Sequence, residues 1–481
     1  LSGDPAMTCP SDRALKRAGL LRLLVLVALV VMMPGAWTIA YAAAQGPVTF
    51  TKDVAPILQR SCENCHREGG VGPMPLTTYE QVRPWARSIK TRTAKHEMPP
   101  WFIEKNIGIQ KFKDDPSLND AEIATIAAWV DAGAPRGNPG DMPPPRHYSD
   151  AAGWTIGTPD LIVSSPAKKI EAVAADWFGA LDPVPTGLTE DRYIKAVEIK
   201  EVRLHPQGQE KPADKQGAGR AALNIFVVHH AVVAVASGDR QAGANDEESA
   251  LGRPDAFNIT YELGQNATIF PDNVGVKLPA GAVLTFDRQH YHSVGTEVVA
   301  RIDVAFTLHP KGYQPKYRQS VVAMPLEFDF ELDIPAGQSN VMRDAFYRLS
   351  RPGILMTFEP HLHSSGKRMC MEALYPNGKR EMLNCAGYNH NWVKVYTYED
   401  DVAPLLPTGT VLHFLAWYDN TAGNPRVVDP RNWKGWGNRS IDDMFYHLPR
   451  MILLTEEQYK EEAAARQMKQ QKPRTATAAQ P

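Results

Sequence analysis

The sequence Cys62-Glu63-Asn64-Cys65-His66 gives the first indication of how this 481-residue chain is organised. Two cysteines separated by two residues and followed at once by histidine form the attachment motif of a c-type haem. Both thiols bind the porphyrin covalently, and the imidazole of His66 takes the proximal position on the iron. A small disulfide or half of a zinc site is the alternative, but no nearby cysteine supplies the second ligand pair that zinc needs. The motif therefore predicts one covalent haem c within a small all-α cytochrome c domain at residues 47–135.

The sequence on both sides of this motif is typical of a small helical domain. Residues 53–61 are predicted to form a helix that runs into the motif. Asn119 and Glu122 form a capping-box pattern at the start of a second helix, and Gly133 is suited to end it. Residues 136–154, which are rich in proline and glycine, are predicted to be a linker.

The sixth position on the haem iron needs a ligand from elsewhere in this domain. Met98 is the preferred candidate, because thioether ligation raises the haem potential and suits electron transfer. Met74 and His96 remain alternatives.

The first 44 residues have the features of a secretory signal peptide. Four basic residues precede or begin an apolar run from Leu23 to Met33, and small residues at 40–44 offer a cleavage site. An uncleaved anchor is the alternative, although the run is short for a membrane span. We therefore expect a periplasmic or secreted protein. A formal net charge of −2 without a basic stripe argues against nucleic acid as a partner.

From residue 155 onward, short segments rich in Val, Ile, Phe and Tyr alternate with Gly, Pro and Asn. This pattern is typical of all-β proteins, and its length fits two jelly-roll-like sandwich domains, at 155–324 and 325–454. Residues 455–481 are predicted to form a capped polar helix and a disordered tail. The clearest predicted strands are Leu223–Val235, Ala282–Phe286, Ala300–Leu308, Arg368–Tyr375 and Val411–Tyr418.

Two further cysteines lie on either side of a hairpin signal. Asn377-Gly378 is the strongest short indication of a two-residue β-turn. If these residues form the turn, Cys370 and Cys385 face each other across the hairpin and are close enough to form a disulfide. Such a bond suits an exported protein. Two unlinked buried thiols are the alternative.

Six histidines occur as three close pairs in the β region. His361 and His363 would lie on one face of a strand and can bind one metal ion. His229 and His230 are adjacent, so they point to opposite faces unless a β-bulge reorients one of them. A single pair is equally well explained by packing. Three pairs together favour a metal site. Copper is preferred over zinc because zinc is redox-inactive. A blue-copper site is excluded, since no free thiolate remains to bind the metal.

These pairs give the chain a resemblance to the type-2 copper monooxygenases, the family of peptidylglycine α-hydroxylating and dopamine β-monooxygenases. The resemblance covers roughly residues 215–453 and implies two β-sandwich domains with one copper ion each. His229 and His230 match the histidine pair of the first copper site, and His290 matches its third ligand. His292 matches a position that does not bind the metal and is expected to orient a ligand.

The resemblance also implies the second copper site. His361 and His363 match the His-x-His ligands of the family, and Met444 matches its thioether ligand. Met451 is the alternative thioether, and ordinary core packing is the alternative role for Met444. His390 is expected to orient a ligand without binding copper.

The chain departs from the family pattern in two places. Ala416 and Phe445 stand where the family has a disulfide, so that bridge is missing. Glu359 stands where peptide-amidating members have an arginine that binds the substrate carboxylate. This exchange argues against peptide amidation. Glu359 would suit a cationic or neutral substrate, and a solvated acid is an equal alternative.

Taken together, these features predict an exported monooxygenase that hydroxylates a C–H bond with O2. The copper ion at His361, His363 and Met444 would react with O2, and electrons would arrive through the haem from ascorbate or a redox protein. The substrate is a small molecule that the sequence does not identify. The alternative is a non-catalytic electron-transfer or copper-binding protein, and a weaker one is an oxidase that releases peroxide.

Overall fold

The computed structural model describes most of the chain beyond residue 45. The described residues are 46–68, 72–146, 154–204, 227–236, 257–262, 267–318, 332–437, 439, 441–447 and 450–471. The predicted signal peptide, Cys9, the start of the strand predicted from Leu223 and the residues beyond 471 lie outside these ranges. Within them, no helix is both long enough and apolar enough to cross a lipid bilayer.

The first described part of the chain is helical and has its own hydrophobic core. A π-helical turn at Phe50–Val54 leads into the first helix, which ends directly before Cys62. The capping box is confirmed, because the Asn119 side chain accepts from the amide of Glu122 and the Glu122 carboxylate accepts from the amide of Asn119. The helices are α1 Ala55–Ser61, α2 Tyr79–Val82, α3 Ala86–Ala94 and α4 Asp120–Asp131, with 3-10 turns at Arg83–Trp85 and Pro139–Asp141.

Residues 161–318 form two sheets that enclose one hydrophobic core. The strands are β1 Leu161–Ser164, β2 Lys168–Ile170, β3 Trp177–Pro185, β4 Arg192–Leu204, β5 Val228–Ala236, β6 Phe257–Glu262, β7 Thr268–Ile269, β8 Val274–Leu278, β9 Val283–Tyr291, β10 Val298–Leu308 and β11 Tyr317–Arg318. One sheet has the order β1-β10-β4-β8-β11, with β2 beside β10 and β7 beside β4, and the other has the order β3-β9-β5-β6. Both contribute buried side chains to the core, such as Val197 and Ile302 from one sheet and Val233 and Phe286 from the other.

Residues 341–453 form a second set of sheets around another core. The strands are β12 Val341–Arg348, β13 Gly353–Leu355, β14 Thr357–Phe358, β15 Pro360–His361, β16 Gly366–Leu374, β17 Arg380–Gly387, β18 Tyr396–Thr397, β19 Leu405–Leu406, β20 Val411–Tyr418, β21 Tyr446–His447 and β22 Met451–Leu453. The larger sheet has the order β12-β20-β16-β17. A smaller sheet has the order β19-β13-β22, and β14-β18 and β15-β21 form separate pairs.

The last helix, α5, spans Glu456–Gln471. Its predicted cap is confirmed, since the Thr455 hydroxyl and the Gln458 side chain each accept from the other residue's backbone amide. The predominance of β-structure from residue 155 onward is also confirmed. The boundaries at 155–324 and 325–454 stay predictions.

The Cys370–Cys385 disulfide is confirmed, although the turn that was expected to align it is different. The prediction of a two-residue turn is wrong, because the loop has three residues, 376–378, with Gly378 at a φ of 83°. A β-bulge at Leu383 adds one residue to β17 and restores the alignment of the cysteines. For the sequence separation of 15, chain entropy gives about 3 kcal/mol of stabilisation.

An extended segment, residues 102–112, connects the helical part to the edge of β17. The amides of Glu104 and Ile109 donate to the carbonyl oxygens of Cys385 and Leu383, each at 2.9 Å. This segment lies within the range predicted for the helical domain, yet it packs on the second set of sheets. The two parts of the chain are therefore in direct contact.

Candidate metal centre

A β-bulge brings the adjacent pair His229 and His230 to one site. In the pairing of β5 with β9, Val228 lies opposite Tyr291 and His230 lies opposite His290, so His229 is the extra residue. One possible ligand atom from each of His229, His230 and His290 lies within 4.8 Å of the others. The structure thus contains the bulge that the sequence required, and it brings together the three residues predicted to bind the first copper ion.

Two of these imidazoles are held in the neutral form. The pKa of His229 and that of His230 lie well below the usual value, chiefly because of burial and secondly because of neighbouring histidines. A neutral imidazole has a lone pair that can bind a metal ion, whereas a protonated one has none. The group is therefore ready to bind metal at neutral pH.

A carboxylate orients the third imidazole of this group. Nε2 of His290 lies 3.0 Å from Oδ2 of Asp176, and the ring of Phe178 stacks on His290 with centroids 3.9 Å apart. A carboxylate on one ring nitrogen fixes the tautomer and turns the other nitrogen toward the metal. Sequence reasoning missed Asp176, because it precedes β3 and is distant from His290 along the chain.

A second group consists of His361, His363 and His390. His361 ends β15, His363 lies in the turn that follows, and His390 lies in the loop between β17 and β18. The ring centroids are 5.4 Å apart for His361 and His363 and 5.3 Å apart for His363 and His390. Burial lowers the pKa of His363 well below its usual value and that of His390 to about 3. His363 and His390 are therefore neutral at physiological pH.

The two groups are next to each other. The ring of His390 lies 5.2 Å from that of His229, and the ring of His361 lies 6.4 Å from that of His230. His292 is at the edge, 5.6 Å from His229. Among the described residues these rings form what we call the histidine cluster, whose members are His229, His230, His290, His292, His361, His363 and His390.

A buried carboxylate holds the second group in place. Asp443 is fully buried, and its oxygens accept from the amides of His363 at 3.1 Å, Ser365 at 3.0 Å and Met444 at 3.1 Å. The hydroxyl of Ser365 donates to the same carboxylate. Burial raises the pKa of Asp443, although these hydrogen bonds oppose the shift. Asp443 thus links the predicted histidine ligands to the predicted methionine ligand.

The two candidate methionines have different surroundings. The backbone of Met444 is fixed by Asp443 and by the hydroxyl of Tyr418, which donates to the Met444 carbonyl oxygen at 2.8 Å. Met451 is fully buried in β22, and its Cε would lie 2.8 Å from a Cβ on Gly353. Met451 is therefore part of the hydrophobic core, whereas the backbone amide of Met444 shares the Asp443 carboxylate with that of His363.

Glu359 is fully buried, so the alternative of a solvated acid is wrong. The guanidinium of Arg450 is also buried, and its pKa is lowered by burial and raised in part by Glu359. Arg450 also donates to the hydroxyls of Thr268 and, at 3.3 Å, Thr260. This arginine therefore connects the two sets of sheets.

The Cys62–His66 motif lies at the end of α1. Nδ1 of His66 lies 3.0 Å from the carbonyl oxygen of Met74, which leaves Nε2 as the nitrogen for a metal. A Cβ on Gly72 would lie 2.5 Å from Nδ1 of His66, so this approach requires glycine. The two cysteines are free, and burial raises the pKa of both, that of Cys62 to about 12.

A cavity of about 540 Å³ lies beside Met98. Its wall is formed by the helical part and by the segment 102–112. Apolar residues such as Met98, Trp101 and Phe102 line it together with charged ones such as Glu104 and Lys105. Its volume lies in the range of small-molecule sites.

The haem-type motif and the histidine cluster meet through one loop. The ammonium of Lys394 and the thiol of Cys65 are near enough to influence each other's pKa, and burial lowers that of Lys394. Lys394 is four residues after His390 and lies in the same loop between β17 and β18. Sequence reasoning did not identify this connection, since residues 65 and 394 are far apart in the chain.

Comparisons with known proteins show no relative of this chain. No protein-family model matches it, and no curated protein matches it. Similar solved structures include empty particles of cowpea mosaic virus, with 10% identity, 62% of this chain and 91% of that chain covered, and a TM-score of 0.30. The structure of broad bean stain virus is 10% identical, with 58% of this chain and 88% of that chain covered and a TM-score of 0.24. N-glycanase F is 10% identical, with 62% of this chain and 96% of that chain covered and a TM-score of 0.25. TM-scores this low support no conclusion about the function.

Proposed function

We propose that this protein is an exported copper-dependent monooxygenase that hydroxylates a C–H bond with O2 and receives electrons through haem c. One observation carries the proposal: histidines from widely separated segments of the chain meet in one buried cluster. Within it, ligand atoms of His229, His230 and His290 lie within 4.8 Å of one another. Several imidazoles with shifted pKa values that converge on one place are typical of a metal site.

The chemistry of the donors favours copper. Imidazole nitrogens with one thioether suit copper, and the only cysteines in the second β part are joined in the disulfide, so no thiolate is available. Copper held at His361, His363 and Met444 would supply O2 binding and reduction. The protein orients these ligands through Asp443, and it orients His290 of the first group through Asp176.

The surroundings of the Cys62–His66 motif suit haem c. The Met74 carbonyl at Nδ1 of His66 directs Nε2 toward the place where an iron would bind. The Met74 side chain packs against the core of the helical part, whereas Met98 lines the cavity, and we therefore keep Met98 as the proposed sixth ligand. Haem bound in this way would supply one-electron transfer.

The first test is the metal and haem content of protein matured in a periplasm. We expect one haem and two copper ions per chain in the wild type. His361→Ala and Met444→Ala should each weaken binding of one copper ion by at least about tenfold, since even residues that only orient a ligand have effects of this size. Met468→Ala changes an exposed methionine of α5 and should leave both copper ions bound.

Elemental analysis also gives the result that would refute the proposal. One haem without stoichiometric copper would rule out the monooxygenase and leave a cytochrome with an unexplained β region. Copper in the wild type that is unaffected by His361→Ala would place the metal elsewhere. Incorporation of ¹⁸O from O2 into a panel of small amines, alcohols and aromatic compounds then separates hydroxylation from release of peroxide.

Electron delivery is tested separately. The haem of the reduced, copper-loaded protein is expected to be reoxidised by O2 faster than the haem of a copper-free sample, because the loop with His390 and Lys394 connects the two sites. Stopped-flow absorbance at the haem bands measures both rates. Equal rates would show that the haem does not pass its electron to copper.

The second candidate function is a copper-binding electron carrier without a substrate. It is favoured by the short distance between the two histidine groups, since the rings of His230 and His361 are only 6.4 Å apart. Such a carrier would show reversible haem and copper reduction without incorporating oxygen into any compound of the panel.

A further inference from the structure

His390 occupies a position between the two histidine groups. Its ring lies 5.2 Å from that of His229 and 5.3 Å from that of His363. Two imidazoles that bind one metal ion at about 2 Å have ring centres about 5 Å apart, because each centre lies about 1 Å beyond the bound nitrogen. The ring-centre distances from His390 to His229 and to His363 therefore match those of two imidazoles that bind one metal ion.

The backbone around His390 is fixed against the second group. The hydroxyl of Tyr388 donates to the carbonyl oxygen of Leu362, between His361 and His363. Asn389 closes the following turn, because its carbonyl oxygen accepts from the amide of Trp392 at 2.8 Å and its side chain accepts from the amide of residue 391 at 3.1 Å. The ring of His390 is thus held in position by its neighbours on both sides.

The ring of His390 also has a nitrogen that the protein does not use. Among the residues that the structure describes, Nδ1 of His390 has no hydrogen-bond partner, and the same holds for Nδ1 of His363. Nδ1 of His447 is unpaired among these residues as well, so this observation supports ligation by His390 only together with the ring spacing. A metal ion would supply the missing partner for both rings.

Backbone contacts decide which copper ion His390 would bind. The two groups offer three candidate ligands each: His229, His230 and His290 in the first, and His361, His363 and the thioether of Met444 in the second. The hydroxyl of Tyr388 donates to the carbonyl oxygen of Leu362, which holds the His390 loop beside the second group. We infer that His390 is a copper ligand, the third imidazole of the second site.

This inference rests on the proposed function, and the experiment separates the two. The full chain, with haem attached, is titrated with Cu(I) against a chromophoric chelator. His390→Gln should lower the affinity for one of the two copper ions by at least about tenfold. This is the lower end of the effect expected when a contact that supports a ligand is lost. X-ray absorption at the copper edge should show one imidazole fewer than in the wild type. His309→Gln, which lies outside the histidine cluster beside Tyr313, is the matched control and should retain the wild-type imidazole count.

A second variant tests ligation independently of folding. His390→Gly leaves a space that free imidazole can enter, and added imidazole should restore tight binding of the second copper ion. Recovery supports a ligand role, whereas a packing role gives no such recovery of copper affinity. Wild type with two copper ions and His390→Gln with unchanged affinity and imidazole count would refute the inference and leave the proposed function intact. Absence of stoichiometric copper from the wild type would refute both.

Discussion

Asp443→Ala is expected to lower the free energy of unfolding by about 3–5 kcal/mol, because several buried donors lose their common acceptor and each costs about 1–3 kcal/mol. The donors are the amides of His363, Ser365 and Met444 and the hydroxyl of Ser365. Two of these amides belong to His363 and Met444, which are proposed ligands of the second copper ion. The variant should therefore also lose one copper ion. Urea unfolding of the copper-free protein and elemental analysis of the loaded protein measure the two effects.

The neighbouring residue provides the control for this change. Asp442 is partly exposed and binds Arg439, an exposed arginine, so Asp442→Ala should change the stability by no more than about 1 kcal/mol. It should also retain both copper ions. If Asp443→Ala kept both copper ions and lost less than about 1 kcal/mol, Asp443 would have no positioning role.

The copper-free protein is expected to become much less stable as the pH falls below about 6.5. Burial holds the pKa of His447 and of His390 at about 3 in the folded protein. Between about pH 6.5 and 3, the unfolded chain therefore binds protons that the folded protein cannot accept. The contribution of each such histidine to the free energy of unfolding is fully present above the pKa that histidine has in the unfolded chain. Below that pH it falls by about 1.4 kcal/mol per pH unit.

His447 gives the clearest test, because it is fully buried beside Phe358 and Phe414 and is not a predicted ligand. Its Nε2 accepts from the amide of Glu359 at 3.3 Å, which a glutamine at position 447 can also do. His447→Gln should reduce the slope of unfolding free energy against pH by about one proton, measured by urea unfolding from pH 7.5 to 4.5. An unchanged slope in His447→Gln would contradict the expectation.

The parts of the fold that could be predicted are those set by local patterns. The segment Val411–Tyr418 is rich in the large apolar residues that favour a strand. The strand is found with the predicted bounds, and its fully buried residues alternate with partly buried ones. The capping box at Asn119 is equally local, since both partners lie within one helical turn. Such features depend on neighbours in sequence, so a single sequence contains the information.

The hairpin between β16 and β17 shows where local patterns fail. Asn377-Gly378 correctly marks the turn, but the number of loop residues depends on how β17 pairs with β16 over its whole length. The bulge at Leu383 changes the register by one residue, and its carbonyl oxygen accepts from Ile109 of the segment 102–112. A contact from a distant part of the chain thus helps to place a bulge that no local signal indicates.

The candidate site was predictable as a set of residues but not as an arrangement. Histidine pairs at 229–230 and 361–363 are visible in the sequence, whereas their distance from each other depends on how two sets of sheets pack. Asp176 and Lys394 gave no signal, because an acid before a strand and a lysine in a loop are ordinary residues until tertiary structure places them beside His290 and Cys65.

The segment 102–112 also has a consequence for the solution behaviour of the chain. It occupies the outer edge of β17, where free N–H and C=O groups would otherwise offer a template for another polypeptide. A shortened chain that begins at residue 155 would leave this edge open and would tend to aggregate through edge-to-edge pairing. The N-terminal part thus protects the β part from self-association, and this would hold even if no electron ever passed between them.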